Sequence, residues 1–249
     1  MLLRTGLQVN ALAQLWLFGG GVLAPALAAW AIQRSFAAKA HIAAGLLVFE
    51  QASQRIEIPL HAIQGLRVWR LALPRSGVDL VLASGKRWRQ GVVLADPQRF
   101  SQALTEAGSP ARWTGRLSDR LAEYASIRAT AHRRGLDNAL IKFGLFPLVP
   151  ALPAFRLHQH IAFGGTFGEY YTYGLTAWLG GLLIWWASWA IGLMLFAAGL
   201  RIAIEAGVIG LQFGGRTRAL AGRYVLEWLG RAVFYVGVPV WLVWRMVLG

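Results

Sequence analysis

Three long apolar runs constrain the fold more than any other feature of this sequence. Residues 12–32 and 175–200 contain no charged side chain, and residues 229–247 contain two arginines as their only charges. A helix of about 20 apolar residues is long enough to cross the hydrocarbon core of a bilayer, which is about 30 Å thick. We therefore predict a transmembrane helix at each run and an integral membrane protein overall.

The composition indicates a chain that is partly embedded in lipid and partly globular. Hydrophobic residues make up 56% of the chain and charged residues 14%, whereas a soluble domain carries about 25% charged residues. Residues 34–138 nevertheless read like an ordinary globular sequence. The chain has no cysteine, which excludes disulfides, thiolate metal sites and cysteine nucleophiles.

Residues 139–155 form a fourth apolar segment, interrupted by Pro147, Pro150 and Pro153. Each proline removes a backbone N–H and clashes with the preceding helical turn, so we do not expect a regular helix through all three. The segment either crosses the bilayer as a broken helix shielded by its neighbours or re-enters and returns on the same side. The fold class that we predict is therefore a membrane protein with about four helical transmembrane segments and one inserted, mostly β domain.

The distribution of arginine and lysine favours a crossing at residues 139–155. Residues 201–231 carry five arginines against two glutamates, and basic residues accumulate on cytoplasmic flanks. Four crossings place residues 34–142 and 201–231 together in the cytoplasm and both termini outside, in a bacterial inner membrane. We attribute the net charge of +14 to this topology and expect no nucleic-acid partner, because no recognition motif is visible.

Residues 42–94 have the pattern of an antiparallel β domain. Ile56 and Ile58 alternate with Arg55 and Glu57, which is the two-residue period of a half-buried strand. Ser84-Gly85 separates two further runs and is typical of a tight hairpin turn. We predict five or six antiparallel strands.

One amphipathic helix is predicted directly after these strands. Asp96 is a favourable N-cap, Pro97 suits the first helical position, and Gly108 is a C-terminal stop. Phe100 and Leu104 fall on the apolar face, so we expect both to be turned into the core of the β domain.

This order of elements resembles the bacterial pleckstrin-homology-like domains found in membrane proteins. The residues that carry the resemblance span about 40–108 and are Gly45-Leu46-Leu47, Ile58-Pro59-Leu60, Ile63-Gln64-Gly65-Leu66-Arg67-Val68, the hairpin strands, and Asp96-Pro97 leading into Phe100. The resemblance implies a strand-rich module that follows a transmembrane segment and ends in one helix.

Four regions follow from these interpretations. Residues 1–39 are expected to be a retained transmembrane anchor, because their apolar run exceeds the roughly 7–15 residues of a secretory signal. Residues 40–108 form the pleckstrin-homology-like domain, residues 109–138 a basic connecting helix, and residues 139–249 a membrane domain with three transmembrane segments. The connecting helix either lies on the membrane surface or packs its apolar residues on the β domain.

Few residues suggest bound metal or buried charge. His158 and His160 could ligate one ion if their stretch is extended, but we consider hydrogen-bonded histidines the better interpretation. Arg201 with Glu205, and Glu227 with Arg231, have the four-residue spacing of facing helical partners. Structural pairing is favoured over a polar transport path, because no charged ladder follows any single segment.

The function that we expect is that of a noncatalytic scaffold, accessory or assembly subunit. No phosphate loop, nucleophile elbow or zinc helix is present, and we expect no enzyme activity and no cofactor. The cytoplasmic module is expected to bind membrane lipids through anionic headgroups, or a membrane-protein partner. The alternatives are a small transporter or channel component and a membrane-embedded metalloenzyme. The candidate contact residues are Arg67, Arg70, Lys86, Arg87, Trp88 and Arg89.

Overall fold

The computed structural model describes residues 11–35, 39–51, 54–69, 76–88, 92–94, 96–129 and 135–247. The chain divides into two compact units. The helical unit comprises Met1–Trp30, Arg133–Gly207 and Val225–Gly249, and the sheet unit comprises Ala31–His132 and Val208–Tyr224.

The first described element is helical, as the apolar run at residues 12–32 predicts. Helix α1 (Ala11–Phe18) passes through a π-helical turn (Gly19–Leu23) into α2 (Ala24–Ser35). The π turn contains three consecutive glycines, and such turns occur inside otherwise regular helices. The apolar part of this element, Leu15–Ala31, is shorter than the three membrane-length helices described below.

Seven strands are described, in two small sheets. They are β1 (Lys39–Ala43), β2 (Leu46–Gln51), β3 (Gln54–Pro59), β4 (Ile63–Val68), β5 (Ser76–Leu82), β6 (Val92–Leu94) and β7 (Arg112–Trp113). The first sheet has the order β1-β2-β3 and the second the order β6-β5-β4-β7. Strand β7 pairs in parallel with β4. The prediction of five or six antiparallel strands therefore missed β7, because two residues are too few to produce a recognisable alternation.

The core of the sheet unit collects alternate residues of both sheets. In the first sheet Leu47 lies opposite Ile58, and in the second sheet Leu66 lies opposite Leu80. All four side chains are buried in one hydrophobic cluster. Successive residues of a strand point to opposite faces. On each strand, the residues next to these four therefore lie on the outer face of the sheet.

Helix α3 (Pro97–Glu106) forms with the cap that its sequence predicts. The Asp96 Oδ1 atom accepts hydrogen bonds from the backbone N–H of Gln98 at 3.0 Å and of Arg99 at 3.3 Å. Leu104 is fully buried in the core, and Phe100 is partly buried and packs against it. The expectation that both face the core is confirmed.

The connecting segment forms α4 (Arg116–Ala129). Ala122 is part of the core cluster, and Leu121 packs against that cluster. Tyr124 and Ile127 are also buried. The connecting helix therefore packs its apolar residues on the β domain, which is the second of the two interpretations of this segment.

Three helices are long and apolar enough to cross a membrane: Leu140–Phe163, Leu175–Gln212 and Arg216–Arg245. The first contains a π turn (Leu140–Leu145) and α5 (Leu148–Phe163). Helix α6 (Gly168–Tyr173) leads to α7 (Leu175–Gln212), and α8 (Arg216–Ala232), a π turn (Val233–Gly237) and α9 (Val238–Val247) follow. We predicted about four such segments, and the described residues contain three of membrane length.

The proline segment is an interrupted helix, as the alternative of a broken helix predicts: a π turn (Leu140–Leu145) precedes α5, and no single regular helix passes through all three prolines. Pro147 immediately precedes α5, and Pro150 lies in its first turn, where a backbone N–H has no acceptor within the helix and its loss costs little. Pro153 alone lies deeper in the helix. Near this helix start, the Trp186 indole N–H donates to the Gly144 carbonyl at 2.8 Å, so a neighbouring side chain satisfies a carbonyl of the interrupted helix.

Candidate functional site

The second sheet has a basic outer face. Arg67 lies opposite Asp79 on β5, and Arg87 forms a bridge with Val81. Leu80, which lies between Asp79 and Val81, is fully buried. Since side chains alternate along a strand, Arg67 and Arg87 lie on the face that points away from the core.

A third arginine joins this face through β7. Arg112 lies opposite Gly65 on β4, and Gly65 in turn lies opposite Val81. The Arg112 side chain is therefore on the same face as Arg87, and it is exposed. Arg112 is not among the residues predicted for this surface; the signal in the sequence is its position between the apolar residues Ala111 and Trp113. We call Arg67, Arg87 and Arg112 the basic sheet face.

The acidic residue of this face is held by an indole. The Trp69 Nε1–H group donates to the Asp79 Oδ1 atom at 2.6 Å. The Trp69 ring lies where a Cβ atom of Gly77 would be, at 2.3 Å from its closest ring atom, so only glycine leaves room for it. Asp79 therefore has a partner other than the arginines, although the neutral indole leaves its charge in place. The face is positive because Arg67, Arg87 and Arg112 outnumber the Asp79 carboxylate.

The predicted hairpin turn is present, and it exposes two basic residues. Gly85 has a φ angle of +75°, a left-handed conformation that glycine adopts readily, and its N–H donates to the Leu82 carbonyl at 2.8 Å. Lys86 and Arg87 follow and are both exposed. Of the predicted hairpin site, residues 86–89, these two are the described residues with exposed side chains.

Trp88 points away from that surface. Its ring packs against the core cluster and stacks on Phe49, with 6.3 Å between the ring centroids. The indole therefore anchors the hairpin on the domain, and we assign it to packing and not to the contact surface. Two other predicted site residues, Arg70 and Arg89, lie outside the described residues.

The helical unit contains a chain of ion pairs, which we call the ion-pair chain. Arg201 contacts Glu205 at 2.5 Å and Glu227 at 3.6 Å. Arg231 contacts Glu227 at 3.7 Å and Asp137 at 2.7 Å. Both predicted helical pairs are therefore confirmed, and the Arg201–Glu227 contact connects them. Asp137 was not predicted, because it is distant in sequence from its partner.

Burial makes these contacts energetically important. The side chains of Glu205, Arg231 and Glu227 are 6%, 11% and 12% exposed. A buried charge is tolerated only when it is paired and hydrogen-bonded, so each member depends on the others. The contacts connect three parts of the helical unit, namely the turn at Gly135–Asp137, α7 and α8.

An aromatic cluster lies around Phe234, three residues after Arg231. Phe234 is 1% exposed and is surrounded by Phe143, Phe146, Phe196 and Tyr235. The Lys142 ammonium group lies 4.7 Å from the Phe234 ring centroid. This cluster packs the start of the first membrane-length helix against α7 and the third helix, and it has the character of structural packing.

The two histidines do not converge on a metal site. Both lie on α5, and residues two apart on a helix point in widely different directions because the helix has about 3.6 residues per turn. His158 packs on Trp185 at 5.5 Å, and His160 contacts the Thr166 hydroxyl at 3.0 Å. The extended backbone that the metal hypothesis requires is absent here. Within the described residues, no group of three histidine or acidic side chains could hold a metal ion.

The one charged residue of 157–174 is held by a buried amide. The Gln159 side chain is fully buried; its Nε2 donates to Glu169 at 2.6 Å, and its Oε1 accepts from the Glu169 backbone N–H at 3.2 Å. An open recess of about 440 Å³ extends over Phe163–Thr172 and has no charged residue in its lining. Nothing here resembles a catalytic constellation.

The described residues thus define a mostly helical chain with three membrane-length apolar helices and two small sheets. No protein-family model matches this chain, and no curated protein or solved structure matches it either.

Proposed function

We propose that this chain is a noncatalytic, multi-pass protein of the bacterial inner membrane that acts as a scaffold or accessory subunit. Its sheet unit is a cytoplasmic pleckstrin-homology-like module that binds anionic lipid headgroups. The observation that carries this proposal is the basic sheet face, Arg67, Arg87 and Arg112, together with the exposed Lys86 at its hairpin.

The architecture of the sheet unit supports the module assignment. A three-stranded sheet and a four-stranded sheet enclose one core, and the Asp96-capped helix α3 follows the strands and packs Leu104 into that core. This is the order of elements on which the resemblance to pleckstrin-homology-like domains was based.

Helix lengths support the membrane assignment and the proposed topology. Helix α7 has 38 residues, about 57 Å at 1.5 Å per residue, so it is longer than a hydrocarbon core of about 30 Å. Its uncharged part ends just before Arg201, where the ion-pair chain begins. We therefore put the cytoplasmic boundary of the bilayer at the ion-pair chain, where Arg201 is 45% exposed and can reach water while its buried partners are paired.

The part of α7 after Arg201 and the start of α8 then lie in the cytoplasm. Within this stretch, Val208–Tyr224 belongs to the same compact unit as the strands. The Gln212 Nε2 atom donates to the Arg120 carbonyl of α4 at 2.8 Å. This contact agrees with the positive-inside pattern, in which residues 34–142 and 201–231 share one side.

Cysteine labelling tests this topology directly, because the chain has no cysteine of its own. In intact cells, a membrane-impermeant maleimide should modify the Gly165→Cys variant and spare the Ser84→Cys variant. Ser84 is the better hairpin position because it is exposed and, unlike Gly85, has no positive φ angle. Both variants should react after permeabilisation, and the reverse pattern in intact cells would overturn the topology.

The lipid contact is tested with the full-length protein reconstituted in bilayers. A dye on Ser84→Cys should be quenched by headgroup-labelled lipid more strongly in anionic than in neutral bilayers. Each basic side chain near an anionic surface contributes about 1 kcal/mol. Neutralising Lys86 and Arg87 to glutamine should therefore weaken the contact by about 2 kcal/mol, roughly thirtyfold.

Arg55→Gln is the matched control, since Arg55 is an exposed basic residue of the first sheet that pairs with Glu57. It should leave the quenching unchanged. Salt should weaken the wild-type signal, because it shortens the screening length. Equal quenching in anionic and neutral bilayers, or in the double variant and wild type, would contradict the lipid proposal.

A further inference from the structure

Arg67 and Asp79 lie opposite each other on two strands but form no ion pair. They are direct partners in the register of β4 and β5, and both residues are half-buried. Side chains at such positions have Cβ atoms about 5 Å apart, and opposite charges there attract each other. Within the described residues, however, neither Arg67 nor Asp79 belongs to an ion pair. Another group therefore holds the Asp79 carboxylate.

That group is the Trp69 indole, whose Nε1–H donates to the Asp79 Oδ1 atom at 2.6 Å. Trp69 follows Arg67 by two residues, so both side chains lie on the outer face of β4. The Trp69 N–H donates to the Gly77 carbonyl at 2.9 Å, and the ring lies over Gly77. The indole thus engages Asp79 from the Gly77 side, while Gly65 lies on the other side of Arg67 along β4.

Three polar side chains surround Gly65. Arg112 lies opposite Gly65 on β7, and neighbouring strands are about 4.8 Å apart. Arg67 is two residues along β4, at about 6.6 Å. The Thr114 Oγ1 atom is 2.5 Å from the position that a Cβ atom of Gly65 would occupy. The missing side chain of Gly65 therefore leaves room for a hydroxyl beside the two arginines.

These three side chains have the chemistry of a phosphate site. Each guanidinium group can donate two parallel hydrogen bonds to phosphate oxygens, and the threonine hydroxyl can donate one more. Like Arg67, Arg112 has no carboxylate partner among the residues that the structure describes. The two guanidinium groups are therefore available to one ligand above Gly65.

We propose that Arg67, Arg112 and Thr114 bind a phosphate group, and that Trp69 is a positioning residue that keeps this site open by holding Asp79. The proposal rests on the proposed function, in which the phosphate belongs to an anionic lipid headgroup, and it names the residues that bind it. Without the indole N–H, the Asp79 carboxylate is free to pair with Arg67 and competes with the ligand for the same guanidinium group.

A double-mutant cycle with Trp69→Phe and Asp79→Asn tests the positioning role in the full-length protein. Phenylalanine keeps a ring over Gly77 but cannot donate a hydrogen bond. The contact with anionic bilayers is measured by quenching of the dye on Ser84→Cys. Trp69→Phe should weaken this contact about fivefold, the equivalent of one basic charge at an anionic surface. With Asp79→Asn already present, the same substitution should change it by less than about twofold, because no carboxylate remains to pair with Arg67.

The cycle distinguishes positioning from packing. A purely structural role of Trp69 predicts the same loss with and without Asp79→Asn, and that result would overturn the proposal. A Trp69→Phe variant with the wild-type contact would overturn it as well. Failure of the lipid function has a different signature, because wild type itself would then show no preference for anionic over neutral bilayers.

Inorganic phosphate is the soluble probe that separates the two sources of the ligand. It is added to the full-length protein in a phosphate-free detergent, and binding is followed by broadening of its phosphorus-31 resonance. Thr114→Val keeps the shape of the side chain without the hydroxyl and should bind phosphate about fivefold more weakly, the typical effect of one hydrogen bond. Acetate at equal ionic strength should not displace phosphate, which controls for screening.

The two probes give separate outcomes. Phosphate binding together with a preference for anionic bilayers supports the site with a lipid headgroup as its ligand. Phosphate binding without that preference supports the site with a soluble phosphate as its ligand and contradicts the lipid function. Wild-type protein that binds neither probe, or Thr114→Val protein that binds phosphate like wild type, would overturn the proposal.

Discussion

Replacing Arg231 with methionine should destabilise the helical unit by about 3–5 kcal/mol, because removal of one partner leaves buried charges uncompensated. The Arg231 side chain is 11% exposed and contacts both Asp137 and Glu227. The loss should appear as a lower free energy of unfolding of the full-length protein in detergent. Replacing the exposed Arg55, whose partner Glu57 is also solvated, should cost less than about 1 kcal/mol.

A combined variant tests whether uncompensated charge causes the destabilisation by Arg231→Met. Adding Asp137→Asn and Glu227→Gln to Arg231→Met also removes the two carboxylates that Arg231 contacts, so the negative charge that Arg231 compensates is lost together with the guanidinium. The triple variant should therefore be more stable than the single one, since the energies of contacting residues are not additive. If all three substitutions simply add further losses, Arg231 acts through its packing and not through its charge.

Replacing Leu104 with alanine should destabilise the sheet unit by about 2–5 kcal/mol, the usual cost of a cavity at a fully buried leucine. Leu104 is 0% exposed and belongs to the core cluster. Hydrogen exchange of the sheet unit in the full-length protein would measure the change. Gln102→Ala, an exposed position on the same helix, should leave protection nearly unchanged.

Phe100→Ala tests whether the loss of stability follows the burial of the side chain. Phe100 is only partly buried against the core, so its loss should be smaller than that of Leu104. Equal protection in the Leu104 and Gln102 variants would contradict the docking of α3 on the sheets.

The interruption of the proline segment could be predicted from the sequence, but the position of the break could not. Prolines disfavour a helix only where a backbone N–H would otherwise be bonded or where the ring meets a preceding turn. Pro147 and Pro150 lie at the start of α5. A uniformly apolar sequence does not reveal where such a helix begins. The bond from Trp186 to Gly144 joins residues far apart in the chain, so local pattern could not predict it.

The candidate contact surface was predicted in part. Charge and turn chemistry located Lys86 and Arg87 at an exposed hairpin, because Ser84-Gly85 is a local signal. Whether Trp88 points outward or into the core depends on strand register, since a shift of one residue exchanges the two faces of a strand. Arg112 joins the same face only through its parallel pairing with β4.

By itself, the sequence determined the membrane-length helices Leu175–Gln212 and Arg216–Arg245, the Asp96 cap of α3 and the four-residue ion pairs, because each depends on residues close together in the chain. Tertiary structure alone decided that Asp137 meets Arg231, that Trp88 stacks on Phe49, and that Arg120 covers Phe213. These contacts join residues distant in the chain. Their geometry depends on how elements pack on one another, which local propensity and periodicity do not specify.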